Sequence, residues 1–163
     1  MLQIKTEHMS EYRSNTVGDV RVYDMIRDGR FLKLSAHFQL YEFACSDGSH
    51  VVLIHPSLVD LLEKARSLLR ERFSKNIAIN ITSGYRTVSH NKSEGGRPHS
   101  RHVLGMACDI SAYYTHKQRR LYIPPEDVAD IIEELNPGGL GRYNTFTHVD
   151  VDGENRRWDN RSS

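Results

Sequence analysis

The sequence predicts an α+β domain in which a small, mostly antiparallel sheet is flanked by helices. Two stretches show the three- and four-residue apolar spacing of amphipathic helices, and several short runs have the length and composition of strands. Helices that pack beside a small sheet of this kind form an α+β domain. The 163 residues are enough for one domain whose hydrophobic core needs no disulfide.

The first elements lie in the N-terminal half of the chain. Alternating residues over 20–26 predict a short strand that ends in a turn at Asp28-Gly29, and residues 51–54 form a second apolar run. The clearest helix begins at Pro56-Ser57. Its apolar residues recur on one face, namely Leu58, Leu61, Leu62, Ala65, Leu68 and Leu69.

The later elements surround a long polar loop. Residues 83–101 are rich in Gly and Ser and predict a functional loop with one helical turn. A second helix begins at Pro124-Pro125 and ends at the Asn-Pro-Gly-Gly turn of residues 136–139. Strands are predicted over 77–81, 107–112, 139–143 and 146–151, the last two as a hairpin around Asn144-Thr145.

Charge and composition exclude some classes of function. The formal net charge of +1 argues against nucleic acid as a partner, because phosphate binding requires a clear cationic surplus. No apolar run approaches the roughly 20 residues that span a bilayer. The polar segment 1–18 contains no apolar signal-peptide core. Cys45 and Cys108 suggest free thiols, because they form neither a disulfide framework nor a metal knuckle.

Two short segments carry residues that bind metals. His102 and Asp109 are seven positions apart with small residues between them, and His148 and Asp150 share one face of a predicted strand. Two histidines and one carboxylate form a three-ligand set that leaves an open position on Zn²⁺. On spacing alone, the pair of His102 and Asp109 is weak evidence for a metal site, because most single histidines are ordinary core or surface residues.

The pattern Ser100-x-His102-x-x-Gly105-x-Ala107-x-Asp109 resembles the signature of the zinc D-Ala-D-Ala carboxypeptidase family. That family includes phage endolysins and shares its fold with the hedgehog signalling domain. Further similar segments follow in the family's order: Ser-Gly-Tyr-Arg-Thr at 83–87, Gly-Gly-Leu-Gly at 138–141, Thr-His-Val-Asp-Val at 147–151 and Arg-Trp at 157–158. The resemblance implies a hedgehog/DD-peptidase-like zinc peptidase domain over 38–163, preceded by an extension of unknown role over 1–37.

The resemblance also implies roles for single residues. His102, Asp109 and His148 are the implied ligands of one Zn²⁺ per chain. Arg86 resembles an arginine that faces the substrate and could stabilise an oxyanion, although a salt bridge that braces the loop is the alternative. Ser100 could bind substrate or brace its loop. Trp158 could stack on substrate or pack over the hairpin.

One position departs from the family pattern. Many members carry an acid three residues before the last histidine ligand, where it serves as the general base, and this chain has Thr145 there. A threonine cannot accept a proton at neutral pH, so a base must come from elsewhere. Asp150 is the first candidate, and its alternatives are orienting a ligand imidazole or an ordinary surface position. His90, Glu94 and His99 on the polar loop are weaker candidates.

The sequence therefore predicts a monomeric zinc peptidase that hydrolyses peptidoglycan stem peptides or cross-links, as a D,D-carboxypeptidase or an endopeptidase. The missing signal peptide favours a phage or prophage endolysin that is made in the cytoplasm and released later. A truncated periplasmic or secreted enzyme is the alternative location. The rival function is a zinc-binding module for cell-wall binding or assembly with little or no turnover, which Thr145 supports.

Overall fold

A computed structural model of the chain describes residues 20–162. Within this range there are three α-helices, α1 (Pro56–Phe73), α2 (Val88–Ser93) and α3 (Pro125–Glu133). The strands are β1 (Arg21–Asp24), β2 (Val51–Ile54), β3 (Ala78–Ser83), β4 (Ala107–His116), β5 (Arg119–Tyr122), β6 (Gly139–Arg142), β7 (Thr147–Asp150) and β8 (Arg156–Asp159). The predicted α+β class is confirmed.

The main sheet has the strand order β3-β4-β7-β6-β8, and β5 pairs with the far end of β4. All of its pairs are antiparallel except β6 with β8, so the prediction of a mostly antiparallel sheet is confirmed. β1 and β2 form a separate antiparallel pair. None of the helices in residues 20–162 is long and apolar enough to cross a membrane.

Strand β4 is the element that positions the polar residues of the site. Its alternate residues Cys108, Ile110 and Ala112 are fully buried in the core. Asp109 therefore points to the opposite face of the sheet. The pairing register places Asp109 opposite His148 on β7 and opposite Ser83 on β3.

The core lies between the sheet and the helices. Helix α1 packs its apolar face into one cluster with α3 and with the buried side of β4. The His55 ring accepts a hydrogen bond from the Ser57 backbone N–H at the start of α1, and Ser74 ends the helix in the left-handed conformation. Both cysteines are buried and unpaired, as expected.

Two strands were not anticipated. The β4–β5 hairpin turns through Lys117 and Gln118, both with positive φ (48° and 64°), although such turns usually carry Asn or Gly. β8 pairs in parallel with β6, so the two strands are not joined by a short hairpin turn that could be recognised in the sequence.

The predicted strand over 20–26 is shorter, because Met25–Gly29 form a turn of π-helix after β1. The prediction of a separate extension over 1–37 stays a prediction, and its residues 1–19 lie outside the described residues. Its described part includes β1, which pairs with β2.

Candidate metal centre

The three ligand candidates of the sequence converge at one point of the sheet. His102 lies in the loop before β4, Asp109 is on β4 and His148 is on β7, and all three are buried. Asp109 Oδ1 lies 3.2 Å from His102 Nε2 and 3.0 Å from His148 Nδ1. Ligand atoms about 2.0–2.1 Å from a tetrahedral zinc ion lie about 3.3 Å from one another. The spacing therefore fits a single metal ion held by these residues.

The outer nitrogen of each histidine has a partner of its own. His102 Nδ1 donates to the Gly84 carbonyl oxygen at 2.8 Å, and His148 Nε2 donates to Asp150 Oδ2 at 3.1 Å. Because the outer nitrogens donate, His102 Nε2 and His148 Nδ1, which face Asp109, are the nitrogens left to bind a metal, and an ion would replace the hydrogen bonds that they make to Asp109. Both rings are thus held in an orientation that a metal could use.

The charge of Asp109 is set by its neighbours. Burial alone would raise the pKa of this carboxyl, but hydrogen bonds from His102 and His148 hold it well below its usual range. For His148, burial lowers the pKa, but the hydrogen bonds to Asp109 and Asp150 raise it by more than burial lowers it. The net shift of the His148 pKa is therefore upward. Asp109 is therefore an anionic donor at neutral pH, as a cation site requires.

Arg86 braces both the loop and the ligand carboxylate. Its Nε donates to Ser83 Oγ at 2.9 Å and its Nη1 to Asn91 Oδ1 at 3.4 Å. Its Nη2 lies 3.3 Å from Asp109 Oδ2, the oxygen that faces away from the histidines. The loop-bracing salt bridge considered for Arg86 is present, and it places the guanidinium directly beside the metal-ligand group.

Asp150 lies behind His148. Its Oδ1 accepts from the Gly139 backbone N–H at 2.7 Å, and its Oδ2 accepts from His148 Nε2 and from Arg156 Nη2 at 2.9 Å. The residue is fully buried. It contacts the side of the His148 ring opposite to Nδ1, which faces the other ligands. This geometry favours the orienting role for Asp150 over that of a general base.

A comparison with protein-family profiles matches residues 36–152 to the profile described as Peptidase M15. The chain belongs to the peptidase M15 family. M15 peptidases are zinc-dependent metallopeptidases, and the group of His102, Asp109 and His148 could bind such an ion. No curated protein matches the chain significantly. The expectation of a zinc peptidase family is confirmed, while the carboxypeptidase or endolysin subtype stays a prediction.

Two further residues predicted for substrate contact lie beside the ligands of this M15 chain. Ser100 Oγ accepts a hydrogen bond from the His102 backbone N–H at 3.3 Å, which braces the loop. The Trp158 ring lies 4.9 Å from the His148 ring between centroids, and its Nε1 donates to Tyr143 Oη at 3.0 Å. A Cβ at Gly141 would collide with the indole, so this glycine gives Trp158 its place over β6.

The weaker base candidates of the M15 chain have partners elsewhere. His90 Nε2 lies 3.1 Å from Ser46 Oγ and 3.7 Å from Glu94 Oε1. The backbone carbonyl of His99 accepts from Arg101 at 3.0 Å. Thr145 is exposed in the turn between β6 and β7.

Sequence reasoning missed the charged cluster behind Asp150. Arg156 Nη2 lies 2.7 Å from Asp152 Oδ2, and Asp152 also pairs with Arg101. The spacing of two between His148, Asp150 and Asp152 was an available signal for Asp152. Arg156 had none, because it reaches Asp150 through the β6–β8 pairing and lies beyond the part of the chain that matches the M15 profile.

Proposed function

We propose that this M15 chain is a zinc-dependent peptidase that hydrolyses peptide bonds in peptidoglycan stem peptides or cross-links. The observation that carries the proposal is the set of three converging ligand atoms whose histidines are both fixed from outside by hydrogen bonds. A set built only for structure would not require both imidazoles to turn a ring nitrogen toward the same carboxylate oxygen while the other nitrogen is fixed from outside.

His102, Asp109 and His148 would hold one ion and leave room for a further ligand, which is the arrangement of catalytic rather than structural zinc sites. When bound, zinc would polarise the scissile carbonyl and lower the pKa of a water molecule to about 7.

The protein side chains would have separate tasks. The Arg86 guanidinium, next to Asp109, would stabilise negative charge that develops on the substrate carbonyl oxygen, a contribution of about 3–4 kcal/mol for one such donor. Asp150 would hold the proton of His148 Nε2 and so keep the ring in place. Ser100 would keep the His102 loop closed, and Trp158 would form a wall beside His148.

The substrate assignment rests on the family and on the resemblance of the motifs at 83–87, 100–109 and 147–151. Both a D,D-carboxypeptidase and an endopeptidase of the endolysin type are consistent with these motifs. The site of action would be the cell wall, reached either by release of a phage or prophage enzyme or by export.

A second candidate function, a metal-binding module with little turnover, is favoured by the contacts that the acidic residues make. Asp150 is fully engaged behind His148, Glu94 pairs with His90, and position 145 is a threonine. A metal-binding module for cell-wall binding or assembly, with little turnover, would need no general base.

One preparation of the protein distinguishes the two candidates. We would measure zinc by mass spectrometry and incubate the loaded protein with purified peptidoglycan and with free D-peptides, identifying the products by mass. Zinc at one per chain together with released peptides supports the peptidase, and the products name the bond. Zinc without cleavage on any wall type supports the binding module.

Two variants test the ligand assignment. His102→Ala and His148→Ala should lose the metal and all hydrolysis, whereas His116→Ala, an exposed histidine at the end of β4, should keep both. Unchanged zinc content in the first two variants would contradict the assignment.

A further inference from the structure

A polar cavity lies at the end of the β3–β4 pair that is remote from the metal centre. Its volume is about 370 Å³, and its walls include Phe38, Glu42, Arg66, Asn76, Tyr113 and Tyr114. Tyr113 pairs with Ala78 at this end of the strands, whereas Asp109 pairs with Ser83 at the other. Tyr113 is four positions after Asp109 on β4, a distance of about 13 Å along the strand. None of the three metal-ligand candidates lines this cavity.

One wall of the cavity holds a buried guanidinium that pairs with no acid in the described part of the chain. Arg66, on helix α1, is only 9% exposed. Its Nη2 donates to the amide oxygen of Asn76 at 3.1 Å. Across the described residues 20–162, every ion pair within 4.0 Å involves other side chains. A buried arginine normally pairs with a carboxylate or phosphate, so this one has the capacity to bind an anion.

A second acidic residue near Arg66 in sequence, Glu63, has partners of its own. Glu63, three residues before Arg66 on α1, accepts hydrogen bonds from Ser35 Oγ at 2.6 Å and from the backbone N–H of His37 at 2.8 Å. It also pairs with the His37 ring at 2.8 Å. Glu63 therefore holds the segment of Ser35 and His37 in place and does not neutralise Arg66, which lines the cavity.

The cavity also contains a carboxylate that pairs with no cationic side chain of residues 20–162. Glu42 accepts a hydrogen bond from the Gln39 backbone N–H at 2.7 Å and forms no ion pair in the described part of the chain. Burial raises the pKa of Glu42, and the bond from Gln39 offsets part of that shift. A cation placed beside this carboxylate would relieve the same desolvation.

We propose that this cavity binds a small zwitterion, a free amino acid or a dipeptide. Arg66 and Asn76 would receive its carboxylate, and Glu42 would receive its ammonium group. The rings of Phe38, Tyr113 and Tyr114 supply the apolar wall that such pockets combine with a few charged groups. The site is distinct from the metal centre and does not depend on the proposed peptidase activity.

Titration of the zinc-loaded, isotope-labelled chain with four probes tests the proposal. Alanine and alanyl-alanine carry both charges, whereas acetate and ethylammonium carry one each. We expect saturable shifts of the Asn76 and Thr115 amides with one of the zwitterions, which also distinguishes an amino acid from a dipeptide. Each single-charge probe should bind at least about tenfold more weakly, because one charged hydrogen-bonding partner is lost. Absence of saturable shifts with both zwitterions overturns the proposal.

Variants separate this cavity from other binding modes. Glu42→Gln removes the charge but keeps an oxygen for the Gln39 N–H, so the fold should be retained, and binding should weaken by about tenfold or more. Arg66→Gln should have a similar effect, and Glu71→Gln, exposed on the same helix, should have none. Binding that is unchanged in Glu42→Gln overturns the proposal.

The metal-ligand variant distinguishes this proposal from the peptidase proposal. His102→Ala should bind the zwitterion as the wild type does, even though it loses metal and hydrolysis. Loss of the shifts in His102→Ala would place the ligand at the metal centre and overturn the cavity site, without bearing on whether the chain is a peptidase.

Discussion

His148 shows most clearly how single atoms define the metal centre. One ring nitrogen faces Asp109, the other donates to Asp150, and Asp150 in turn is held by Arg156 and by the Gly139 backbone. Each contact removes one degree of freedom from the imidazole. The ring orientation is therefore fixed before a metal arrives, which reduces the ordering that binding requires.

Asp150→Asn tests the role of this carboxylate. If Asp150 orients His148, the variant should lose about 10- to 100-fold in zinc affinity, because outer partners of metal-binding histidines contribute that much. Competition with a chelating dye measures the affinity. Asp60→Asn, on the exposed face of α1, is the control. Unchanged zinc affinity with a large loss of turnover would instead make Asp150 the general base.

Arg86→Lys tests whether the planar guanidinium is needed. Lysine keeps the charge but cannot donate at once to Ser83, Asn91 and Asp109, so the loop and the carboxylate lose a common anchor. We expect kcat to fall by about 100-fold or more while zinc remains bound. Arg70→Lys, exposed on α1, should behave as wild type in kinetics and metal content. Wild-type kcat in Arg86→Lys would exclude any role at the reacting carbonyl.

The metal centre is built on one side by paired strands of the sheet and on the other side by the loop between β3 and β4. β4, β7 and β6 supply Asp109, His148 and the Gly139 N–H, whereas His102 and Arg86 come from the segment between β3 and β4. That segment is anchored to neighbouring backbone, because Tyr85 N–H donates to the Phe43 carbonyl and Arg86 N–H donates to the His102 carbonyl. Strand pairing therefore fixes half of the site and loop hydrogen bonds fix the rest.

Gly139→Ala tests the strand that supports Asp150. A Cβ at this position would collide with the Asp150 carboxylate, which cannot move without leaving His148 or Arg156. We expect a loss of about 1–3 kcal/mol in the free energy of unfolding, the usual cost of overpacking, together with weaker zinc binding. Urea denaturation and chelator competition measure the two effects. Retention of both values would show that the carboxylate position is not critical.

The start of helix α2 provides a pH-dependent anchor for the loop. Thr87 Oγ1 donates to Asp47 Oδ2 at 2.6 Å and accepts from the His90 N–H at 3.2 Å. The hydrogen bond from Thr87, with one from Ser49, holds the pKa of Asp47 well below its usual range. The stabilisation is therefore complete above the ordinary pKa of about 4 and is lost as the pH falls through the lowered value.

Asp47→Asn tests this pH dependence of the stability. The difference in unfolding free energy between wild type and variant should be present at neutral pH and should shrink steadily below about pH 4. Denaturation curves of the metal-free proteins at several pH values measure it, because metal loss in acid would otherwise contribute. A difference that is constant with pH would show that the Asp47 charge does not stabilise the anchor.

At the scale of the whole molecule, the parts that followed from sequence are those with local signals. Pro56 and the apolar face after it located α1, and the motifs that resemble the zinc peptidase family implied His102, Asp109 and His148, three side chains that meet in space. The parts that did not follow depend on long-range pairing. Arg156 reaches Asp150 only because β8 lies parallel to β6, and Arg66 is notable only because no acid among residues 20–162 pairs with it.

The whole sheet also separates the two polar sites. The metal centre is at one end of the β3–β4 pair and the cavity around Arg66 is at the other. Substitutions in one should leave the other intact, because sites more than about 7–10 Å apart with no shared partners usually behave additively.

The late position of β8 in the chain has a consequence for biosynthesis. A nascent polypeptide that has emerged as far as Asp152 already contains all three ligands, yet it lacks the Arg156 guanidinium that neutralises Asp150 and Asp152. Asp150 would then be buried behind His148 without its guanidinium partner, while Asp152 would keep its pair with Arg101. We therefore expect the protein to acquire its metal after β8 has left the ribosome, as a late step of maturation and not during translation of the ligand segments.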